Sequence, residues 1–307
     1  MLVRCGVAFG CSMPCYHPIP GYRATVCNPS GKRSIVFSPQ EGFKEFALAV
    51  PCGRCIGCRL ERARQWSIRC VHESSLYERN CFITLTYSDD NLPLDGSLRP
   101  RDMTLFLKRL RKMFGSGIRY FQCGEYGEKS LRPHHHAILF NHDFSDKRSM
   151  SNPLGPSRLF TSRTLEDLWG YGHCSVGTVT RQSAGYVARY SLKKVYGPSS
   201  VDWYAGRVPE YLTMSRRPGI GTGWLAKWHD DIYRGGDSVS ELVVDGVRCK
   251  PPRFYDKLME RFVPSMMERV NWRRKRESAD NPDGSGSRLI VREHVTEAAV
   301  KSLTRGI

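Results

Sequence analysis

Apolar residues recur at two different spacings along this chain, and the switches between them mark out its elements. Residues 54–77 keep helical spacing: Leu60, Ala63, Trp66, Cys70 and Val71 share a face, and Arg59, Arg62, Arg64 and Arg69 largely occupy the others. Residues 80–87, NCFITLTY, are β-branched and aromatic and predict a strand, with Phe82, Thr84 and Thr86 on one face. A turn at Ser88-Asp89-Asp90-Asn91 leads to a helix over 102–114, where Met103, Phe106, Leu107, Leu110 and Phe114 oppose Lys108, Arg111 and Lys112. Two more strands follow, at 118–123, ending in Gly124-Glu125-Tyr126-Gly127, and along the run Arg132-Pro133-His134-His135-His136-Ala137-Ile138-Leu139-Phe140. After a polar loop over 143–157, the pattern predicts a short helix at 164–169, a strand at 173–180 and a helix at 182–196.

Beyond Gly197 the signal weakens. Residues 213–224, TMSRRPGIGTGW, read as a glycine-rich loop beside two arginines. Their G-x-G-x-G lacks the strand and the spacing of a dinucleotide fingerprint, so an ordinary turn outweighs a phosphate-cradling loop. Asp245-Gly246 between apolar runs predicts a hairpin, 252–275 is helical and basic, and DGSGS marks a flexible tail. Residues 1–50, rich in proline and glycine, are expected to be irregular. The order of elements predicts an α+β fold: an antiparallel sheet covered by helices on one face, with additions at both ends. The expected divisions are a Cys-rich segment over 1–58, a central domain over 59–200, a basic extension over 201–275 and a flexible tail over 276–307.

Charge changes the picture most. Lys and Arg outnumber Asp and Glu 47 to 30, a net charge of +17 over 307 residues. That excess points to a polyanionic partner, most simply nucleic acid. No apolar run approaches the roughly 18 residues of a membrane-spanning helix, and residues 1–20 show no signal-peptide pattern, so a cytoplasmic protein without a membrane partner is expected. Among 12 cysteines, Cys52, Cys55 and Cys58 in PCGRCIGCR form a double C-x-x-C, the spacing of a zinc knuckle. A structural Zn²⁺ needs a fourth ligand, for which Cys15 or Cys11 is the candidate, with His17 behind them.

Three groups of residues have the means to do chemistry. In a strand, His134 and His136 point one way and His135 the other, so the first two can converge on one ion. The competing reading is a polar strand end with three unrelated histidines. Glu125 sits on the neighbouring strand. In the helix GYVARYSLKK, Tyr186 and Tyr190 project from one face, with Arg189, Lys193 and Lys194 close by, although tyrosines at a wet boundary often have this spacing. Together the groups describe phosphoryl transfer: a cation held by two histidines and a carboxylate grips a phosphate, a tyrosine attacks it, and a Lys or Arg steadies the charge.

In order, FITLTY, RPHHH followed by AILF, and YVARYSLKK resemble the three motifs of the HUH endonuclease superfamily of rolling-circle initiators. With PCGRCIGC upstream and MSRRPGIGTGW downstream, the resemblance narrows to replication initiators of gokushovirus-type microviruses, over roughly residues 11–260. It implies a ferredoxin- or RRM-like core, with His134 and His136 as ligands of Mg²⁺ or Mn²⁺. Glu125 would be the third ligand and Glu128 the fallback, with His135 in a usually hydrophobic middle position. Tyr190 and Lys193 match Y-x-x-K, Tyr186 matches the paired tyrosine, and Arg189 stands where lysine is common. The expected activity is nicking of origin DNA through a 5′-phosphotyrosine and re-ligation of circular strands. Arg216, Arg217 and Lys194 are the candidate DNA contacts. Without a P-loop, a host helicase and DNA polymerase in the bacterial cytoplasm are implied. The rival readings are a non-catalytic zinc-containing DNA-binding regulator and another HUH enzyme, a transposase or relaxase.

Overall fold

The computed structural model describes residues 14–29, 31, 33–128, 130–150, 159–180, 183–185, 187–188, 195, 197, 199–234, 240–244, 246–279 and 286–302. The chain divides into two units, with the boundary inside the first long helix.

The first unit holds the described parts of Ser12–Glu61 and Asp280–Leu303. Strands β1 (Ile19–Cys27), β2 (Arg33–Val36) and β3 (Leu48–Val50) form an antiparallel sheet in the order β2-β1-β3. This corrects the expectation of irregular chain. Its prolines are compatible with pairing because Pro20 lies near the start of β1, where strand ends tolerate a missing N–H. Gly21 lets the strands close, since a Cβ there would meet the Val50 side chain at 2.7 Å. Helix α1 (Ile56–Ser74) follows the cysteine run.

The second unit, Arg62–Ala279, contains β4 (Asn80–Thr86), α2 (Pro100–Phe114), β5 (Arg119–Tyr126), β6 (Pro133–Phe140), β7 (Arg148–Ser149), β8 (Phe160–Thr161), α3 (Arg163–Trp169) and β9 (Cys174–Gly177). It continues with α4 (Ser199–Tyr204), β10 (Tyr211–Met214), α5 (Thr222–Tyr233), the hairpin β11 (Leu242–Val244) and β12 (Val247–Cys249), α6 (Arg253–Phe262) and α7 (Pro264–Ala279). Helix α8 (Gly286–Ser302) belongs to the first unit and occupies the stretch expected to be a flexible tail.

Seven strands make one antiparallel sheet in the order β10-β5-β6-β4-β9-β8-β7, and the fold is α+β. Helices cover both of its faces, not one. Cys81, Ile83, Leu85, Ala137 and Leu139 pack with Met103, Phe106 and Leu110 of α2 and with Leu165 and Trp169 of α3. Phe121, Cys123, Ile138 and Phe140 turn to the other side and pack with Ala63 and Cys70 of α1 and with Ala184, Val187 and Ala188. The unbroken apolar run AILF is what a strand buried on both faces requires.

The sequence expectation missed β10. It pairs with β5 along Tyr211↔Gly124 to Met214↔Phe121, so the TMSRRPGIGTGW stretch begins as a strand and ends in α5. A third apolar cluster joins Ile68 of α1 to Leu225, Tyr233, Tyr255, Met259 and Met267.

Candidate metal centre

Strand register assembles the site. In the β5–β6 pair Glu125 lies opposite His134 and Cys123 opposite His136, while in the β4–β6 pair Thr84 lies opposite His136 and Thr86 opposite His134. Residues directly opposite each other share a face, so Glu125, His134, His136 and Thr84 all project to the side covered by α1. His134 Nε2 is 2.7 Å and His136 Nε2 3.2 Å from Glu125 Oε1. The outer ring atoms are tied as well: His134 Nδ1 lies 3.0 Å from the Arg132 carbonyl oxygen, and His136 Nδ1 lies 2.9 Å from Thr84 Oγ1.

These contacts determine where the protons are. A carbonyl oxygen only accepts, so His134 Nδ1 carries a proton and Nε2 of the neutral ring is a lone pair. That lone pair faces a carboxylate oxygen at 2.7 Å, and two acceptors so close need a proton or a cation between them. Burial pushes the Glu125 carboxyl up, but hydrogen bonds and positive charge from His134 and His136 outweigh it and hold the group below its ordinary value. Glu125 is therefore ionised at neutral pH. One ligand atom from each of the three residues lies within 4.8 Å of the others. Two imidazole nitrogens and one carboxylate oxygen, steered by a carbonyl and a hydroxyl behind them, suit a divalent cation.

His135 is excluded from this group. It is fully buried on the opposite face, with Nε2 3.3 Å from the Tyr87 hydroxyl and Nδ1 3.2 Å from the Tyr211 hydroxyl. The Tyr87 hydroxyl donates to Asp102 Oδ2 at 2.9 Å, so it accepts from His135, whose Nδ1 then accepts from Tyr211. Burial, reinforced by the charges of His134 and His136, lowers its pKa to about 3. His135 is a neutral packing residue. It is placed neither to contact DNA nor to alternate as a ligand.

Glu128, the fallback ligand, is exposed beyond β5 and outside the group. Tyr186, Arg189, Tyr190, Lys193 and Lys194 lie outside the described residues. Their neighbours 183–185 and 187–188 are helical, and Ala184, Val187 and Ala188 are buried on the same sheet face as Glu125, His134 and His136. Arg216 and Arg217 are exposed on the loop between β10 and α5. Beneath them Arg119 donates to the Pro218 carbonyl at 2.7 Å, Arg69 to the Ile220 carbonyl at 3.0 Å, and Gly221 N to Glu73 Oε2 at 2.7 Å. In the first unit the sulfurs of Cys15, Cys52, Cys55 and Cys58 also come within 4.8 Å of one another. Cys11 is outside the described residues, and His17 pairs with Glu293 at 2.7 Å.

A family model described as replication-associated protein ORF2 matches residues 80–195, from the start of β4 through the paired tyrosines. Replication-associated protein VP4 of Bdellovibrio phage phiMH2K is 36% identical over 263 residues, covering 82% of this chain and 79% of that one. Replication-associated protein ORF2 of Spiroplasma virus 4 is 37% identical over 224 residues, 69% of this chain and 68% of that one. The chain belongs to this family of microvirus replication-associated proteins. Replication-associated protein ORF4 of Chlamydia phage 1 is 28% identical over 229 residues, 72% of this chain and 56% of that one. No solved structure matches.

In this replication-associated protein the sequence reading overlooked Thr84, Arg132 and Tyr211. Thr84 carried a signal in hindsight: a hydroxyl on the same face of a neighbouring strand is a natural partner for a histidine. The Arg132 carbonyl and Tyr211 carried none, because nothing local predicts a backbone contact or the pairing of β10.

Proposed function

We propose that this replication-associated protein is a rolling-circle initiator that nicks origin DNA and rejoins it by tyrosine-mediated strand transfer. The observation that supports this most is the convergence of Glu125, His134 and His136 on the sheet face where the helical residues around Tyr186 and Tyr190 are buried. Glu125, His134 and His136 would hold Mg²⁺ or Mn²⁺, which on binding draws charge from a scissile phosphate and fixes its orientation.

The chain's own groups do the rest. The phenolate of Tyr186 or Tyr190 attacks phosphorus, and the 3′-oxygen leaves and takes up a proton. The 5′-phosphate stays on the tyrosine. Attack on that linkage by a 3′-hydroxyl reverses the step and rejoins the strand without a nucleotide cofactor. Lys193 and Arg189, within a helical turn of the tyrosines, favour the ionised phenol and the charge that builds on phosphate oxygens. Arg216, Arg217 and Lys194 would bind backbone phosphates. Unwinding and synthesis fall to a host helicase and DNA polymerase in the bacterial cytoplasm.

The test is incubation of origin-containing single-stranded DNA with Mn²⁺ and wild type, Tyr186→Phe, Tyr190→Phe or His136→Ala. A covalent adduct that either tyrosine variant loses, and that His136→Ala abolishes, is expected. Adduct formation by every variant would overturn the mechanism. Tight binding with no cleavage by wild type would leave a DNA-binding regulator.

A further inference from the structure

The cysteine group of the first unit is independent of the nicking chemistry. Cys55 Sγ and Cys15 Sγ are 4.0 Å apart, well beyond the roughly 2.05 Å of a disulfide and close to the ~3.8 Å edge of a tetrahedron with metal–sulfur bonds of about 2.3 Å. Backbone N–H groups point at three of the sulfurs. Cys52 N donates to Cys15 Sγ at 3.2 Å, Cys55 N and Arg54 N to Cys52 Sγ at 3.3 and 3.5 Å, and Tyr16 N and Cys58 N to Cys55 Sγ at 3.4 and 3.5 Å. Donors gathered in this way stabilise thiolates. Although burial pushes the Cys52 thiol up, the N–H groups of Cys55 and Arg54 bring it down to about 7. Several thiolates this close repel each other unless a cation lies among them. Four sulfurs in a tetrahedral set select zinc, whereas Glu125, His134 and His136 offer harder donors.

The same segment reaches further. Pro14 and Tyr16 lie against the first turn of α1, where a Cβ on Gly57 would run into the Pro14 carbonyl oxygen and meet the Tyr16 ring at 2.8 Å. Two residues tie this segment to α8: the Tyr16 hydroxyl is 2.7 Å from Thr296 Oγ1, and His17 Nε2 is 2.7 Å from Glu293 Oε2. We propose that Cys15, Cys52, Cys55 and Cys58 hold one zinc ion that fixes residues 14–17 against the start of α1 and thereby secures α8. This holds whether or not the chain cuts DNA.

The test uses the full chain. Elemental analysis should find one tightly held zinc per chain, retained in Cys27→Ser and reduced at least tenfold in Cys52→Ser/Cys55→Ser. Releasing zinc from wild-type protein with a mercurial should expose four additional fast-reacting thiols and raise amide exchange across 286–302, with β4–β6 unchanged. If the double variant fails to fold, the wild-type release experiment decides alone. Iron in place of zinc, disulfides among these cysteines, or four thiols that react at once in metal-free folded protein would overturn the site. Zinc release that leaves exchange in α8 unchanged would overturn its structural role.

Discussion

Thr84 touches His136 only at the nitrogen that faces away from Glu125, yet that contact decides where the ring points. Thr84→Val keeps the shape and removes the hydroxyl, so the ring loses its stop. Mn²⁺ affinity by calorimetry should fall about 10–100-fold while the thermal midpoint barely moves; unchanged affinity would mean that packing alone orients His136. His72 makes a second residue-scale prediction. Burial lowers its pKa to about 4, and the ring is confined by a stacked Trp224 ring 3.6 Å away and the Tyr255 hydroxyl at 3.0 Å. In the unfolded chain it titrates near 6.5. The unfolded state therefore binds more protons below that value. The stability that depends on the neutral ring is complete above about pH 6.5 and is lost as pH falls from there through the folded value. Its contribution has a slope of about 1.4 kcal/mol per pH unit in that window. Urea midpoints should decline between pH 6.5 and 5, and less so in His72→Phe; a midpoint flat over that range would contradict the burial argument.

At the scale of elements, β10 matters because it closes the site from behind. Its Tyr211 ring lies over Gly124, where a Cβ would run into the ring and come within 3.1 Å of His135 Nδ1. Gly124→Ala forces β10 or His135 to move and should cost about 1–3 kcal/mol in urea unfolding, with weaker Mn²⁺ binding because Glu125 is the next residue. Unaltered stability would show that β10 yields freely. The loop after β10 is held in a different way, by buried charge: Arg119 Nε is 2.5 Å from Glu73 Oε1, and the other carboxylate oxygen of Glu73 takes the Gly221 N–H. Gly221 has φ +82°, and a Cβ there would meet the Tyr255 hydroxyl, so only glycine fits. This anchored turn lifts Arg216 and Arg217 into solvent.

Over the whole molecule, a net charge of +17 predicts DNA affinity that falls steeply with salt. If Arg216 and Arg217 each neutralise one phosphate of a single strand, the double Ala variant should lower the slope of log K against log salt by about 1.4. Fluorescence anisotropy over a sodium chloride series measures this, and an unchanged slope would remove the loop from the interface. Among the described residues no helix is long and apolar enough to cross a membrane.

Local pattern carried much of this architecture. Two-residue alternation alone put His134 and His136 on one face and His135 on the other, helical spacing marked α1 and α2, and two C-x-x-C turns aimed three cysteines together. These follow from backbone geometry, which acts over a few residues and can be read there. Pairing of distant strands decided the rest: Glu125 over Glu128 beside the histidines, Thr84 behind His136, Tyr211 beside His135, and helices on both faces of the sheet. The same holds for Cys15 beside Cys52, Cys55 and Cys58. Register and packing are set by the sum of many contacts between segments far apart in the chain, and no short stretch of sequence contains that sum. The chain determined which groups could do chemistry; the tertiary structure decided which of them meet.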